Sequence, residues 1–195
     1  MFCLVCGQGY LHKQLETSKL ELNSVQFYQA LLAEFVGVFI LTLIVCGVGI
    51  TLNENEKIPS IHGALAGGLT LGTMIWCMNC ISGGNLNPAI SIALMMTNDL
   101  LFIRGIFYII FQLLGAYAGA ASITFLLPAS HRQNLGLTLL DEHVSLGKGF
   151  GVELLITFIL ALTVYASIDK NRKDLNGSVP LSIGLSVTCG ALFGV

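Results

Sequence analysis

Ser82-Gly83-Gly84-Asn85-Leu86-Asn87-Pro88-Ala89 interrupts one of the most hydrophobic regions of a 195-residue chain. Two glycines, two asparagines and a proline facing lipid would leave backbone N–H and C=O groups with no water to bond. Such a break is tolerated where it is buried in protein or lines an aqueous path. The stretch therefore predicts a path through a membrane and marks its position.

The surrounding chain agrees with a membrane setting. It is 54% hydrophobic and 10% charged, with a mean hydropathy of +0.81. Soluble domains carry about 25% charged residues. A net charge of -2 points to no nucleic-acid partner. The apolar run Phe2 to Cys6 is too short for a signal peptide's apolar region.

Five long apolar segments emerge, at about 27–52, 59–81, 103–127, 149–168 and 179–195. About 20 residues suffice to cross a hydrocarbon core of about 30 Å. The run Pro88 to Met96 is about half that length, so it reads as a re-entrant half-helix over 87–97 that enters and leaves by the same side. The fold class expected is an all-α multi-pass membrane protein of five spans plus this half-helix. Its parts are an N-terminal segment 1–26, a first repeat 27–127, a connecting loop 128–147 and an incomplete second repeat 148–195.

With the N-terminus in the cytoplasm, Lys13, Lys19, Arg104, Lys170, Arg172 and Lys173 lie inside. Lys57, Arg132 and Lys148 lie outside. Six against three fits the positive-inside rule. A short surface helix is expected over Lys13 to Val25. The sequon Asn176-Gly177-Ser178 then faces the cytoplasm and is expected to be unused.

The two halves echo each other. Leu32-Ala33-Glu34-Phe35-Val36-Gly37 resembles Gly151-Val152-Glu153-Leu154-Leu155-Ile156, each with an acid early in a span. An odd number of crossings per repeat makes the second copy inverted. Asn87 follows Glu34 by 53 residues, and the same interval after Glu153 falls at position 206, past Val195. A second half-helix is thus expected to lie outside this sequence.

Local chemistry assigns roles. Asn87 suits an N-cap and Pro88 the first helical position, where its missing N–H is harmless. The positive end of the helix dipole then sits near mid-membrane, where it repels cations and orients a water oxygen. An Asn87 amide turned to the lumen donates to that oxygen. Gly83 and Gly84, with Asn85, offer carbonyls and an amide to the path. Glu34 and Glu153 are intramembrane acids with no evident basic partner in the spans. They read as buried acceptors for irregular loop backbone rather than as a proton relay. The pairs Gly63/Gly67, Gly68/Gly72, Gly115/Gly119 and Gly190/Gly194 have the spacing of close helix crossings.

Other chemistries find little support. Cys3/Cys6 and Cys77/Cys80 have C-x-x-C spacing, but His and Cys density around them is low and no metal or other cofactor is expected. No acid/base pair or activated nucleophile suggests an enzyme. Broken helices and inverted repeats also occur in secondary transporters, yet no set of coupling residues stands out.

Ala33-Glu34-Phe35, Ile81 to Ala89, Gly151-Val152-Glu153 and the run Asp174 to Leu185 together resemble the aquaporin (major intrinsic protein) family, in its water-channel branch, insect members included. In aquaporin-type pores the positive ends of half-helix dipoles oppose cations and protons. The resemblance implies a right-handed bundle of six spans with an inverted repeat and two half-helices meeting at Asn-Pro-Ala motifs, here Asn87-Pro88-Ala89. It implies a homotetramer in the plasma membrane that passes water and small neutral solutes. It also implies an outer constriction made by an aromatic on span two, a His on span five and an Arg after the second motif. Gly67 stands at the aromatic's place and Ala191 at the His. Both changes widen the filter, so glycerol or urea is expected to pass beside water. The alternative is a non-conducting or regulatory subunit that joins full-length channels.

Overall fold

The computed structural model describes residues 20–50, 60–128, 139–173 and 177–194. It contains α1 (Val25–Val48), α2 (Ser60–Ser82), α3 (Pro88–Met96), α4 (Phe102–Leu126), α5 (Leu146–Ile168) and α6 (Val179–Gly194). Lys13, Lys19, Lys57, Arg132, Cys3, Cys6 and Asn176 lie outside the described residues. Of the expected surface helix residues 20–25 are described: 20–22 are helical, Asn23 and Ser24 turn the chain, and Val25 already opens α1.

Four helices are long and apolar enough to cross a membrane: Val25–Val48, Ile61–Ser82, Phe102–Leu126 and Leu146–Ile168. The half-helix α3 has 9 residues, about 14 Å at 1.5 Å per residue, close to half a hydrocarbon core. α6 has 16 residues, or about 24 Å, short of a full crossing as described. α5 starts at Leu146, three residues before the apolar run, because the backbone N–H groups of Lys148 and Gly149 already bond the Ser145 carbonyl at 2.9 and 3.1 Å. α1 begins where Ser24 caps it, its Oγ accepting from the Phe27 N–H at 3.2 Å.

Lipid offers no hydrophobic drive for helix pairing, so small residues and close contact supply it. α1 and α4 cross at Gly115 and Gly119. A Cβ on Gly119 would lie 2.6 Å from the Phe39 carbonyl oxygen, and one on Gly115 would strike that of Phe35. α2 and α6 cross at Gly68, Gly72 and Gly184, where a Cβ on Gly72 would sit 2.9 Å from the Pro180 carbonyl. Gly190 and Gly194 meet only side chains of α5, and Gly63 has nothing within 4 Å. Two of the four expected glycine pairs therefore make backbone crossings.

These crossings enclose the half-helix. Val38, Leu71, Ile75, Leu86, Ile90, Leu94, Leu160, Val164 and Ile183 form one apolar cluster around it. Phe27, Ala30, Leu31 and Tyr108 form a second between α1 and α4. Trp76, Phe125 and Phe158 point outward, as side chains against acyl chains do.

Candidate pore-lining site at the re-entrant loop

The loop between α2 and α3 takes three left-handed backbone steps, at Gly83 (φ +89°), Gly84 (φ +63°) and Leu86 (φ +49°). Gly84 needs to be glycine twice over, since an added Cβ would also press on Ile75 backbone at 3.2–3.3 Å. Leu86 is not glycine, and that conformation costs an L-residue about 1–2 kcal/mol. It is held by burial of its side chain against Gly37 and by its N–H, which donates to Glu34 Oε2 at 2.7 Å.

Glu34 organises the loop. It is fully buried, and four donors converge on its carboxylate. Oε1 accepts from Ser82 Oγ at 2.6 Å and from the Asn85 N–H at 3.1 Å. Oε2 accepts from the Leu86 N–H and from Gln112 Nε2, both at 2.7 Å. Four donors on two oxygens suit an acceptor-only carboxylate, and this pairing makes a buried acid tolerable. Gln112 Nε2 also donates to Ser91 Oγ of the half-helix at 3.1 Å. Ser82 Oγ accepts from the Gly84 N–H at 3.0 Å, and the Ser82 carbonyl accepts from the Tyr108 hydroxyl at 2.8 Å. Arg104 extends the chain outward: Nη1 donates to Tyr108 OH at 3.2 Å, and the guanidinium pairs with Glu21 at 3.0–3.1 Å.

Ser82, Ser91, Tyr108 and Gln112 are the residues that sequence reasoning missed. A signal existed for two of them. Arg104, Tyr108 and Gln112 recur at i, i+4 and i+8, one polar stripe on an otherwise apolar span. Glu153 departs from the expectation of burial, because it is exposed on α5. Among the described residues no re-entrant loop reaches it, so it lacks the donors that bury Glu34.

At the centre, Asn87 caps α3 with φ -152° and ψ 124°, and Pro88 follows as the first helical residue. Asn87 Oδ1 accepts from the Ala89 N–H at 2.8 Å. That bond assigns the amide's orientation and leaves Nδ2 as the free donor.

Asn87 lines a cavity of about 120 Å³, room for several waters at about 30 Å³ each. Its polar side is Asn79, Gly83, Gly84, Asn85 and Asn87. Its remaining wall is apolar: Leu71 and Ile75 from α2, Ile90 and Leu94 from α3, Leu160, Val164 and Ile168 from α5, and Val179, Pro180 and Ile183 at α6. Pro88 and Ala89 set the half-helix start without lining this cavity.

Gly67 and Ala191 do not line it either. Gly67 lies one turn from Leu71 on the α2 face that carries Leu71, Ile75 and Asn79 at i+4 steps. A Cβ there would meet only Val45, at 3.7 Å. Ala191 lies two turns beyond Ile183 on α6 and is half-buried. Cys77 and Cys80 are free and exposed.

Fold and site together define a multi-pass α-helical membrane protein in which a re-entrant half-helix aims its N-terminus at an interior cavity. The family model "Major intrinsic protein" matches residues 21–195. Mouse Aquaporin-5 is 41% identical over 178 residues, covering 91% of this chain and 66% of its own length. Human Aquaporin-4 is 38% identical over 172 residues, covering 87% and 53%. Among solved structures, the aquaglyceroporin from Plasmodium falciparum superposes with a TM-score of 0.74 at 26% identity, covering 85% of this chain and 72% of that one. The chain belongs to the major intrinsic protein family, the aquaporins. It spans from about half to about two thirds of these curated relatives' length.

Proposed function

We propose that this protein is a passive transmembrane channel for water and small uncharged solutes, glycerol and urea among them. One observation carries the reading. Asn87 spends its oxygen on the Ala89 N–H, so its NH2 is left to donate into a cavity whose other walls are almost wholly apolar. A water or hydroxyl oxygen passing there meets one fixed donor and the positive end of a helix dipole. A cation meets the same dipole and no compensating carboxylate, since Glu34 is fully engaged by the loop.

Glycerol and urea enter through Gly67 and Ala191. Both are small, and a Cβ on Gly67 would meet only the Val45 side chain, at 3.7 Å. The likeness to the solved Plasmodium falciparum aquaglyceroporin, at 26% identity, supports a solute-permissive filter. The channel is read as a homotetramer in the plasma membrane with its N-terminus in the cytoplasm. Residues 27–127 are read as the first repeat and 148–195 as part of the second.

The test is stopped-flow flux through the full-length protein in liposomes. Wild type should pass water and glycerol without saturation and without an ion gradient. Gly67→Phe combined with Ala191→His should lower glycerol flux by about tenfold or more, as a lost fit of about 1.4 kcal/mol would, and keep most of the water flux. Water flux alone in wild type would overturn the solute assignment.

A further inference from the structure

The far end of the half-helix carries a polar chain that the loop network does not use. On α3, Asn87, Ile90 and Leu94 line the cavity at i, i+3 and i+7. Thr97, the C-cap, continues that stripe at i+10. On α5, Leu160, Val164 and Ile168 line the cavity at i, i+4 and i+8, and Tyr165 stands beside Val164, one turn before Ile168. The two stripes meet through their hydroxyls, Thr97 Oγ1 and Tyr165 OH being 3.0 Å apart. Thr97 Oγ1 also donates to Asp99 Oδ2 at 2.7 Å, a shorter contact than its 3.3–3.4 Å approaches to the Leu94 and Ala93 carbonyls. With the Thr97 proton on Asp99, the Tyr165 hydroxyl is the donor to Thr97. The order is Tyr165 O–H to Thr97 O–H to the Asp99 carboxylate.

The half-helix is held unevenly. Its N-terminal end is tied to α1 and α4 through Ser91, Gln112 and Glu34. Its C-terminal end packs Met95 on Gly105 of α4, and on the α5 side it is held by this hydroxyl pair. The path between Leu94 on one side and Val164 and Ile168 on the other has apolar walls, so its width depends on how closely α3 and α5 approach.

We propose that Tyr165 is a specificity-determining residue, its hydroxyl fixing the C-terminal end of the half-helix against α5 and so setting the width of the apolar exit. The proposal rests on the channel reading. A neutral hydrogen bond biases a two-state equilibrium by about fivefold. Its loss should admit the larger solute preferentially and leave water, already small enough, little changed.

The experiment measures water and glycerol permeability per reconstituted full-length protein for wild type, Tyr165→Phe, Thr97→Val, the double variant and Thr97→Ser. Each of Tyr165→Phe and Thr97→Val should raise the glycerol-to-water ratio by about two- to fivefold. The double variant should go no further, because both remove one bond. Thr97→Ser keeps the hydroxyl and should keep the wild-type ratio. An unchanged ratio in Tyr165→Phe, or equal falls in both fluxes, overturns the proposal while leaving the channel intact. A wild type that passes neither water nor glycerol refutes the channel reading, and this inference with it.

Discussion

Replacing Glu34 with Gln tests the account of the loop at its centre. The carboxylate accepts four hydrogen bonds, two on each oxygen. An amide keeps one oxygen and presents an NH2 where the other stood. If the NH2 takes the Oε2 position, it faces the Leu86 N–H and Gln112 Nε2. Gln112 can then turn its own amide over, because its Oε1 is buried without a partner among the described residues. That flip satisfies the new NH2 and lets the Ser91 hydroxyl donate to Gln112, but it leaves the Leu86 N–H unpaired and moves Gln112's own NH2 to a buried spot without a partner among the described residues. Two buried unsatisfied donor groups cost about 2–6 kcal/mol at about 1–3 kcal/mol each. For a protein of this size that is roughly a 4–24 °C drop in Tm, at about 2–4 °C per kcal/mol. Glu34→Ala strands four donors, roughly 4–12 kcal/mol, comparable to the whole stability of a typical domain at about 5–15 kcal/mol. Thermal unfolding of detergent-purified full-length protein should rank wild type above Glu34→Gln and leave Glu34→Ala unrecoverable. Adding Gln112→Leu to Glu34→Gln should cost more than the two single losses combined, since it removes the flip. A Glu34→Ala protein that melts within about 2 °C of wild type, a shift under about 1 kcal/mol, would refute the reasoning.

Three further outcomes are expected. Gly68→Val places a side chain onto the Gly184 carbonyl and Thr188, so helices α2 and α6 cannot cross and folded protein should be lost, read by size-exclusion profile. Asn87→Ala removes the cap, about 1 kcal/mol, together with the one side-chain donor of the half-helix start that is free to face the cavity. Folding should survive while water flux per protein falls several-fold in a swelling assay. Arg104→Glu breaks the pair with Glu21, whose partners are 21% and 23% exposed, and loses the bond to Tyr108. The lost pair alone is worth at most about 1 kcal/mol at such exposure. The double reversal with Glu21→Arg should recover part of the melting temperature, whereas Glu21→Arg alone should not.

Much of the architecture was legible in the chain because membrane insertion reduces folding to local rules. Length and apolarity alone marked the spans, since a backbone in lipid must satisfy itself within each helix. The half-helix was legible from Asn87 and Pro88, whose capping chemistry acts within one turn. Sequence also singled out Glu34, because an acid in a span demands a reason. It treated Glu153 alike, and among the described residues that acid is exposed on α5 with no re-entrant loop against it. Ser91, Tyr108 and Gln112 became functional candidates only when α1, the loop and α4 were brought together, contacts separated by up to 78 residues. The same holds for Tyr165 against Thr97, 68 residues apart. Sequence by itself determined four segments long and apolar enough to cross a membrane and the place where the apolar run is broken, because each depends on a few neighbouring residues and the solvent around them. Which polar groups satisfy one another, which glycines become crossings and which residues wall the cavity was decided only by tertiary structure, because hydrogen bonds and steric contacts depend on distances that no local pattern records.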